Sequence, residues 1–320
     1  MSGEGREVEG KPAVSLLGAQ LPGVDIIPFR VATDLGEPSA LWSIDDQEPT
    51  AVVLFPEPFS TDVTSLLERL EATLPGHPVV GGVASGGNQP GTTALFLENR
   101  VVRTGSVGVA LQGAIRMETV VAQGCRPIGD PLFVTRGEGN LIYELDGKPA
   151  AEILEELYQA CSTEEQILFS FGLCLGVVVK QGQEIYEQGD FLIRQVLGLD
   201  QGTRALGVAT RVEPNQVVQF HLRDAKASSD DLRRMLERMA ELPCGPQASG
   251  ALMFACLGRG VELYGEDSHD TRVFQDLFPQ AHLGGFFCNG EIGPVQGRIH
   301  MHSYTSSFGI FRPPTEVESQ

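Results

Sequence analysis

The segment that decides the fold class lies in the first half of the chain and has the sequence Thr93-Ala94-Leu95-Phe96-Leu97-Glu98-Asn99-Arg100-Val101-Val102. Two apolar, strand-like runs are separated here by a short polar turn of the kind that joins the strands of a hairpin. Hairpin strands are antiparallel. The segment therefore favours an α+β fold over a doubly wound parallel sheet.

The rest of the chain mixes amphipathic helices with short β-rich runs. Apolar residues at helical spacing predict helices over residues 61–74, 149–161 and 228–242, and a shorter helix from Asp270 to near Pro279. The β-rich runs predict strands at residues 51–55, 78–83, 93–98, 107–112, 119–123, 166–171, 204–210, 216–222 and 251–256, with a terminal set between 282 and 311. We expect two α/β-type subdomains with mixed, largely antiparallel sheets packed by these helices.

A polar, glycine-rich segment at residues 136–140 is the best candidate for a domain boundary. It predicts an N-terminal domain over residues 14–139 and a C-terminal domain over residues 140–313. Residues 1–13 and 314–320 are expected to be flexible tails. The first of these tails lacks the apolar core of a signal peptide, and no apolar run approaches the roughly 20 residues of a membrane-spanning helix. These features predict a cytoplasmic protein.

Composition narrows the classes of partner. The chain has 320 residues, with 23 Lys plus Arg against 42 Asp plus Glu, and a formal net charge of −19. Such a surface repels polyanions, which argues against nucleic acids and anionic membranes as partners. The six cysteines never form a Cys-x-x-Cys pair, so we expect reduced thiols at Cys125, Cys161, Cys174, Cys244, Cys256 and Cys288.

Two charged residues on glycine turns are the most informative feature of the C-terminal third. Arg259 follows the apolar run 251–255 and is flanked by glycines, and Glu291 follows the similar run 284–288. If both turns lie at the same end of a sheet, Arg259 and Glu291 would clamp a zwitterion, each through charge-assisted hydrogen bonds of about 1.5–3 kcal/mol. Two alternatives stay open: solvated charges in surface turns, or a structural pair between these two residues.

A glycine turn in the first half, residues 79–88, is a second candidate. It follows a strand as a phosphate loop would, but it lacks the Lys-Ser/Thr of a P-loop. Ser85 lies in Gly-x-x-Ser-Gly, which differs from the Gly-x-Ser-x-Gly of a nucleophile elbow. We interpret the segment as a packed turn that lines a cleft, with Gly82 and Ser85 facing a ligand.

Thiol or metal chemistry is the weaker interpretation. Cys256 and Cys288 end apolar runs, where an unactivated cysteine behaves as a small hydrophobe. His300 and His302 would share one face of a strand, a geometry that zinc can use, but His282 supplies no third ligand at a recognisable spacing. We therefore predict no catalytic residue, no metal and no cofactor. A cysteine-dependent hydrolase or transferase is the alternative.

Several blocks of the sequence resemble the signature blocks of the FIST family. They are Cys256-Leu257-Gly258-Arg259-Gly260, Gly285-Phe286-Phe287-Cys288-Asn289-Gly290-Glu291-Ile292-Gly293-Pro294 and His302-Ser303-Tyr304-Thr305-Ser306-Ser307. Residues 141–150 resemble the opening of the family's C-terminal domain, and residues 80–82 with 107–111 resemble its N-terminal domain. The resemblance extends from about Val14 to Pro313.

This resemblance implies a sensory module that binds small ligands, amino acids among them, in signal transduction. For eukaryotic relatives it implies the substrate-recognition half of F-box proteins in ubiquitin ligases, and hence a signalling or ubiquitin-ligase partner. The implied ligand-binding residues are Cys256, Gly258, Arg259, Gly260, Phe287, Asn289, Gly290, Glu291, His302, Thr305, Gly82 and Ser85. The chain departs from both settings because it shows no F-box and no signalling output domain. Its N-terminal domain begins abruptly, so we expect its first strands to be missing or shortened.

Overall fold

The computed structural model describes residues 2–3, 5–32, 51–242, 245 and 247–313. Over these residues it forms six helices, which are α1 Val63–Thr73, α2 Ala150–Ala160, α3 Thr163–Gly172, α4 Ala225–Ala240, α5 Val261–Tyr264 and α6 His269–Leu277. The strands are β1 Ser2–Gly3, β2 Arg6–Glu7, β3 Val24–Val31, β4 Ala51–Pro56, β5 Val79–Gly82, β6 Leu95–Leu97, β7 Arg100–Val102, β8 Ser106–Gly113, β9 Arg116–Gln123, β10 Cys125–Glu138, β11 Leu141–Leu145, β12 Lys148–Pro149, β13 Leu173–Val178, β14 Phe191–Leu199, β15 Leu206–Val208, β16 Val217–Arg223, β17 Gly250–Cys256, β18 His282–Cys288, β19 Glu291–Val295, β20 Arg298–His302 and β21 Thr305–Arg312.

The chain divides into two compact units. Unit 1 comprises Met1–Ala122, Asp230–Met301 and Thr305–Gln320, and unit 2 comprises Gln123–Ser229 and His302–Tyr304. No helix in the described ranges is both long and apolar enough to cross a membrane.

Unit 1 contains two six-stranded mixed sheets. The first has the strand order β2-β1-β18-β17-β21-β9, in which β17 and β18 are parallel and β17 and β21 antiparallel. The second has the order β20-β19-β5-β4-β8-β3, in which β4 and β5 are parallel. The two sheets share an apolar core that includes Val53 and Val80 from the second sheet and Phe254 and Cys288 from the first. The sheets therefore pack face to face.

Helices cover the outer faces of both sheets in unit 1. The apolar stripe of α1, formed by Val63, Leu66, Leu67 and Leu70, is buried in a core with strands of the second sheet. Apolar residues of α4 and α6 are buried with strands of the first sheet in another core. Unit 1 thus has four layers, helix–sheet–sheet–helix, as expected when each sheet must bury both faces.

Unit 2 is built around antiparallel strands in the order β10-β16-β13-β14-β15-β11-β12. Because β10 also pairs with β11, six of these strands form a closed ring. Its apolar core contains Leu175, Val218 and Phe220 and is packed by partly buried residues of α2 and α3. Both units combine helices with mixed or antiparallel sheets, and the predicted α+β class is confirmed.

The deciding hairpin and the four predicted helices are confirmed. Leu97 pairs with Arg100 across a two-residue turn. The helix predicted at residues 228–242 begins three residues earlier, because the Asp224 carboxylate accepts a hydrogen bond from the Ala227 amide at 3.0 Å and so caps the helix. The predicted strand at residues 166–171 is wrong, because these residues lie in α3.

Two segments differ from their expected role. Residues 136–138 belong to β10 and pair with β11 across a tight turn, so this glycine-rich segment is a hairpin inside unit 2. The two domains at 14–139 and 140–313 stay a prediction. Near the N-terminus we expect a flexible tail, but Ser2 and Gly3 pair with the edge of β18. Glu7 is buried as well, because it hydrogen-bonds Ser268 and Thr271. The predicted tail at 314–320 and Cys244 lie outside the described residues.

Candidate functional site

The candidate site in unit 1 begins where two parallel strands end. Cys256, the last residue of β17, is in register with Cys288, the last residue of β18. Parallel strands present their carboxyl ends at one edge, which is where ligands bind in many sheets of this kind. Arg259 follows the first strand by three residues, and Glu291 follows the second by three. The two charged turns therefore lie at the same edge of one sheet.

Arg259 is buried, with 1% of its surface exposed, and forms a two-point ion pair with Asp270 in the first turn of α6. Its Nε donates to Asp270 Oδ2 at 2.7 Å, and its Nη2 donates to Oδ1 at 3.1 Å. Nη2 also donates to the Tyr264 hydroxyl at 2.6 Å. Among the described residues, the buried Nη1 has no hydrogen-bond acceptor. The guanidinium is thus fixed in place with one donor nitrogen unused.

The ion pair keeps both of its groups charged. Burial alone would raise the pKa of Asp270, but the Arg259 charge and the hydrogen bonds from His269 and Arg259 outweigh it and hold the pKa well below its ordinary value. Burial alone would lower the pKa of Arg259, but the charge of Asp270 raises it above its ordinary value. His269 is itself positioned by stacking on Tyr264, with ring centroids 3.6 Å apart.

Glu291 is fully buried at the start of β19. Its Oε2 accepts hydrogen bonds from the Thr305 backbone amide at 3.1 Å and from the Thr305 hydroxyl at 2.7 Å. Within the described part of the chain, its Oε1 accepts only from the Cys288 thiol, at 3.4 Å. Burial raises the pKa of Glu291 to about 7, although the hydrogen bonds from Thr305 and the Arg259 charge oppose the rise. One carboxylate oxygen is therefore paired only with a weak donor.

Arg259 and Glu291 are neither solvated nor paired with each other. Both are buried, and the Arg259 charge favours the ionised form of Glu291, which places the two groups within electrostatic range. Among the contacts of these two described residues, no hydrogen bond or ion pair joins them, because Asp270 occupies the guanidinium. Neither alternative from the sequence therefore describes this pair, and its role in ligand binding stays a prediction.

The glycine turn of the first half joins this group. Gly82 pairs with Glu291, and a Cβ on Gly82 would lie 2.9 Å from the Cys288 Cβ, so only glycine fits there. The Ser85 hydroxyl donates to the Phe287 carbonyl at 2.5 Å. The Asn289 amide and the Gly290 carbonyl hydrogen-bond the backbone of residue 83. The structure thus brings most of the predicted residues together by backbone contacts.

His302 is the predicted residue that the structure assigns elsewhere. It is buried and belongs to unit 2, whereas the other predicted site residues belong to unit 1. Its place in the site stays a prediction.

Cys288 is poorly suited to be a nucleophile. It is fully buried, and its thiol donates to Glu291 and, at 3.5 Å, to the Ala255 carbonyl. Burial and the neighbouring Glu291 raise the pKa of Cys288 well above its ordinary value, whereas nucleophilic attack needs the thiolate. The described residues hold no cluster of three His, Cys, Asp or Glu side chains arranged for a metal ion.

Sequence reasoning missed the residues that hold Arg259 in place. Asp270 and Tyr264 lie 11 and 5 residues further along the chain, and Glu7 packs against the first turn of α6 from the N-terminal segment. A signal for Asp270 existed, because a helix was predicted to start there and an acidic residue in a first helical turn is well placed to meet a cation. No local signal connected Glu7 to this region.

Comparison with known proteins shows which family the chain resembles along most of its length. The model of the FIST N domain matches residues 2–148, and that of the FIST C domain matches residues 150–294. The chain is 42% identical over 307 residues to uncharacterized protein Rv0628c of Mycobacterium tuberculosis, covering 95% of this chain and 79% of that protein. It is 39% identical over 306 residues to uncharacterized protein Mb0898c of Mycobacterium bovis, with the same coverage.

A more distant relative is F-box/LRR-repeat protein At5g63520 of Arabidopsis thaliana, which is 23% identical over 337 residues, covering 88% of this chain and 61% of that protein. The two matched domain models together with the mycobacterial relatives define the class: the chain belongs to the FIST family. FIST domains are signalling-related domains.

Proposed function

We propose that this chain is a non-catalytic sensory module that binds a small zwitterion, such as an amino acid, through Arg259 and Glu291. The observation that carries the proposal is the buried Arg259 Nη1, which has no acceptor among the residues that the structure describes. A buried donor without an acceptor costs about 1–3 kcal/mol. A ligand carboxylate would supply the missing acceptor and recover that free energy.

Glu291 provides the complementary half of the proposed site. From the residues that the structure describes, its Oε1 accepts a hydrogen bond only from a thiol, and burial raises the pKa of the carboxyl to about 7, so it is protonated below neutral pH. A ligand ammonium would be a stronger partner than the thiol and would stabilise the ionised carboxylate. A ligand that carries both charges therefore satisfies both residues, whereas a simple anion satisfies only Arg259.

The buried and protonated Cys288 supports a binding role over catalysis. The net charge of −19 supports a small-molecule or protein partner over a nucleic acid or an anionic membrane. A cytoplasmic location is part of the proposal, and cell fractionation tests it.

The test is a thermal-shift screen of the full chain with the standard amino acids, followed by calorimetry on the best hit. Arg259→Lys keeps the positive charge but removes the forked donors, so we expect its affinity to fall about 10- to 100-fold, the equivalent of one lost charge-assisted hydrogen bond. Unchanged affinity in this variant would remove Arg259 from the site. The absence of any hit would refute the choice of amino acids.

Arg312→Lys is the matched control. Arg312 is also buried and ion-paired, with Glu118, but its Nη1 and Nη2 donate to backbone carbonyls of residues 239, 245 and 247. Replacing the Arg312 guanidinium also removes a buried ion pair, but it leaves the residues of the proposed site unchanged. Equal loss of affinity in both variants would mean that the effect of Arg259→Lys is structural.

A protein-interaction role is the second candidate, and the name of the Arabidopsis relative favours it, since that protein is an F-box/LRR-repeat protein. In this role the same turns would accept a peptide and a ubiquitin-ligase or signalling protein would be the partner. Affinity purification of the full chain distinguishes the two. A stoichiometric Skp1-type adaptor or another defined protein, with no thermal shift from any amino acid, would favour the interaction role.

A further inference from the structure

Residues 5–11, which we call the strap, cross unit 1 beside the segment that carries Arg259. The Glu7 amide donates to the Ser268 hydroxyl at 3.1 Å, and its Oε1 accepts from the Thr271 amide at 2.8 Å. Both carboxylate oxygens of Glu9 lie 3.2 Å from the Val261 amide. Two carboxylates of the strap are thus bound by main-chain N–H groups of the segment 259–271.

The spacing of the two carboxylates explains how one short segment places both. Residues i and i+2 of an extended chain point to the same side, which allows Glu7 and Glu9 to contact the segment 259–271 together. The backbone of the segment leaves space for the Glu9 carboxylate at Gly260. Gly260 has a φ of +80°, and a Cβ there would lie 2.5 Å from the Glu9 carboxylate. Any side chain at this position would displace Glu9.

The contact between the strap and the segment 259–271 leaves hydrogen-bonding capacity unused. Thr271 lies in the first turn of the nine-residue helix α6, where backbone N–H groups favour an anion. Among the described residues, the buried Oε2 of Glu7 has no hydrogen-bond donor. A cavity of about 610 Å³, lined by the strap together with Val261, Ser268 and Arg272, adjoins the contact. The contact therefore leaves open space beside the strap and one Glu7 oxygen unsatisfied.

We infer that the segment 259–271 is a receptor for an extended acidic peptide with the pattern Glu-x-Glu, and that the strap fills this receptor in cis. A partner protein that presents such a peptide displaces the strap and binds in its place. Tethering gives the strap a high effective concentration, so it blocks weak competitors and yields to a partner that makes additional contacts. This inference does not depend on the zwitterion site, because its contacts are made by Thr271, Ser268 and Val261.

The contact between Glu7 and the segment 259–271 is weakened by the burial of the Glu7 carboxylate. Burial, with the nearby charge of Asp270, raises the pKa of Glu7 to about 7, so the ionised carboxylate is disfavoured in the docked position. A contact of this kind is easier to displace than a fully compensated ion pair.

The test uses the full chain with Glu7→Lys and Glu9→Lys, and a fluorescent synthetic peptide of residues 2–18. Lysine cannot accept the hydrogen bonds from residues 261 and 271, so the strap of this double variant should be released. We expect the double variant to bind the peptide at least about tenfold more tightly than the wild-type chain, whose own strap competes. A peptide with lysine at both positions should bind neither chain. Equal affinity of the two chains for the acidic peptide, or no binding to either, would overturn the inference.

Hydrogen exchange supplies a readout that does not require the peptide. The Thr271 and Val261 amides should exchange faster in the double variant and regain protection when the acidic peptide is added. The single variant Glu9→Lys covers the case in which the double variant fails to fold, because Glu9 is only half-buried. It should expose the Val261 amide while the Thr271 amide stays protected. Wild-type protection of Val261 in this variant would contradict the receptor.

Discussion

The free energy of unfolding of the wild-type chain should fall as pH rises, in part because Glu291 ionises, and Glu291→Gln should abolish that part of the fall. Burial raises the pKa of Glu291 from 4.5 to about 7, against the hydrogen bonds from Thr305. Between these two values the folded chain keeps a proton that the unfolded chain releases, so stability falls as pH rises from 4.5 to 7 and then levels off. At about 1.4 kcal/mol per pH unit, the full effect is about 3 kcal/mol.

The glutamine variant keeps the shape of the site and loses the ionisation. Its amide oxygen can accept the two hydrogen bonds from Thr305, which leaves the amide nitrogen beside the Cys288 thiol, a weak acceptor. The difference in unfolding free energy between the variant and the wild type should therefore grow in favour of the variant, by roughly 2–3 kcal/mol between pH 5 and pH 8.

The difference between the two chains is the proper observable, because other groups also titrate in this range. Burial lowers the pKa of His221 in unit 2 from 6.5 to about 4, so its contribution to stability rises with pH and opposes that of Glu291. Glu7, whose pKa is raised to about 7, acts in the same direction as Glu291. Both contributions cancel when the variant is compared with the wild type at each pH.

Urea denaturation at pH 5 and pH 8 measures the effect, and Glu262→Gln is the control because Glu262 is exposed. The control should follow the wild type at both pH values. If Glu291→Gln also follows the wild type to within about 0.5 kcal/mol, Glu291 ionises in the folded chain as it does in water, and the argument from burial fails.

Two further predictions test the packing of the site. Gly82→Ala should lower the free energy of unfolding by about 1–3 kcal/mol in urea, because the added methyl lies 2.9 Å from the Cys288 Cβ; Gly18→Ala, with no atom within 4 Å, should change it little, and equal effects would contradict the close contact. Iodoacetamide at neutral pH should modify the half-buried Cys256 in the folded chain and leave the buried Cys288 intact, as mapped by mass spectrometry. Selective modification of Cys288 would instead revive the thiol-dependent enzyme.

The sequence predicts most clearly those elements whose signal is local. The stripe of α1 repeats apolar residues at 63, 66, 67 and 70, and these are the residues that the structure buries. The turn between β6 and β7 is equally local, since two residues connect paired strands. Such elements could be predicted because neighbouring residues alone determine them.

Errors arise where local signals compete. The run Gln166-Ile167-Leu168-Phe169-Ser170-Phe171 is apolar and rich in β-formers, but Ser162 and Glu165 form a capping box that starts a helix in front of it. The long strand β10 was missed because Pro127, Gly129 and Pro131 interrupt its pattern, and its pairing shifts register at this point. The capping box was readable from the sequence, whereas the irregular strand needed its partners.

The site shows the limit of local reasoning most directly. Glycine turns and isolated charges identified Arg259 and Glu291, but the partner of each charge comes from another element: Asp270 from α6 and Thr305 from β21. Which carboxylate meets the guanidinium is decided by tertiary packing. Asp270 lies 11 residues after Arg259 and Glu291 lies 32 residues after it, and Glu262, Glu266 and Asp267 are nearer still. The sequence alone gives no means to choose among these acidic residues.

That choice determines the chemistry of the site. One buried cation faces two buried carboxyl groups, and Asp270 takes it through two hydrogen bonds, which holds the pKa of Asp270 well below its ordinary value. In the described part of the chain, Glu291 has no ion pair with Arg259. The Arg259 charge and the two hydrogen bonds from Thr305 do not offset the cost of burial, so the pKa of Glu291 rises to about 7. When Glu291 loses its proton, it carries a buried negative charge, which the ammonium group of the proposed zwitterion would neutralise. A ligand that brings an ammonium group would therefore bind with release of a proton, and its affinity would increase with pH up to about 7.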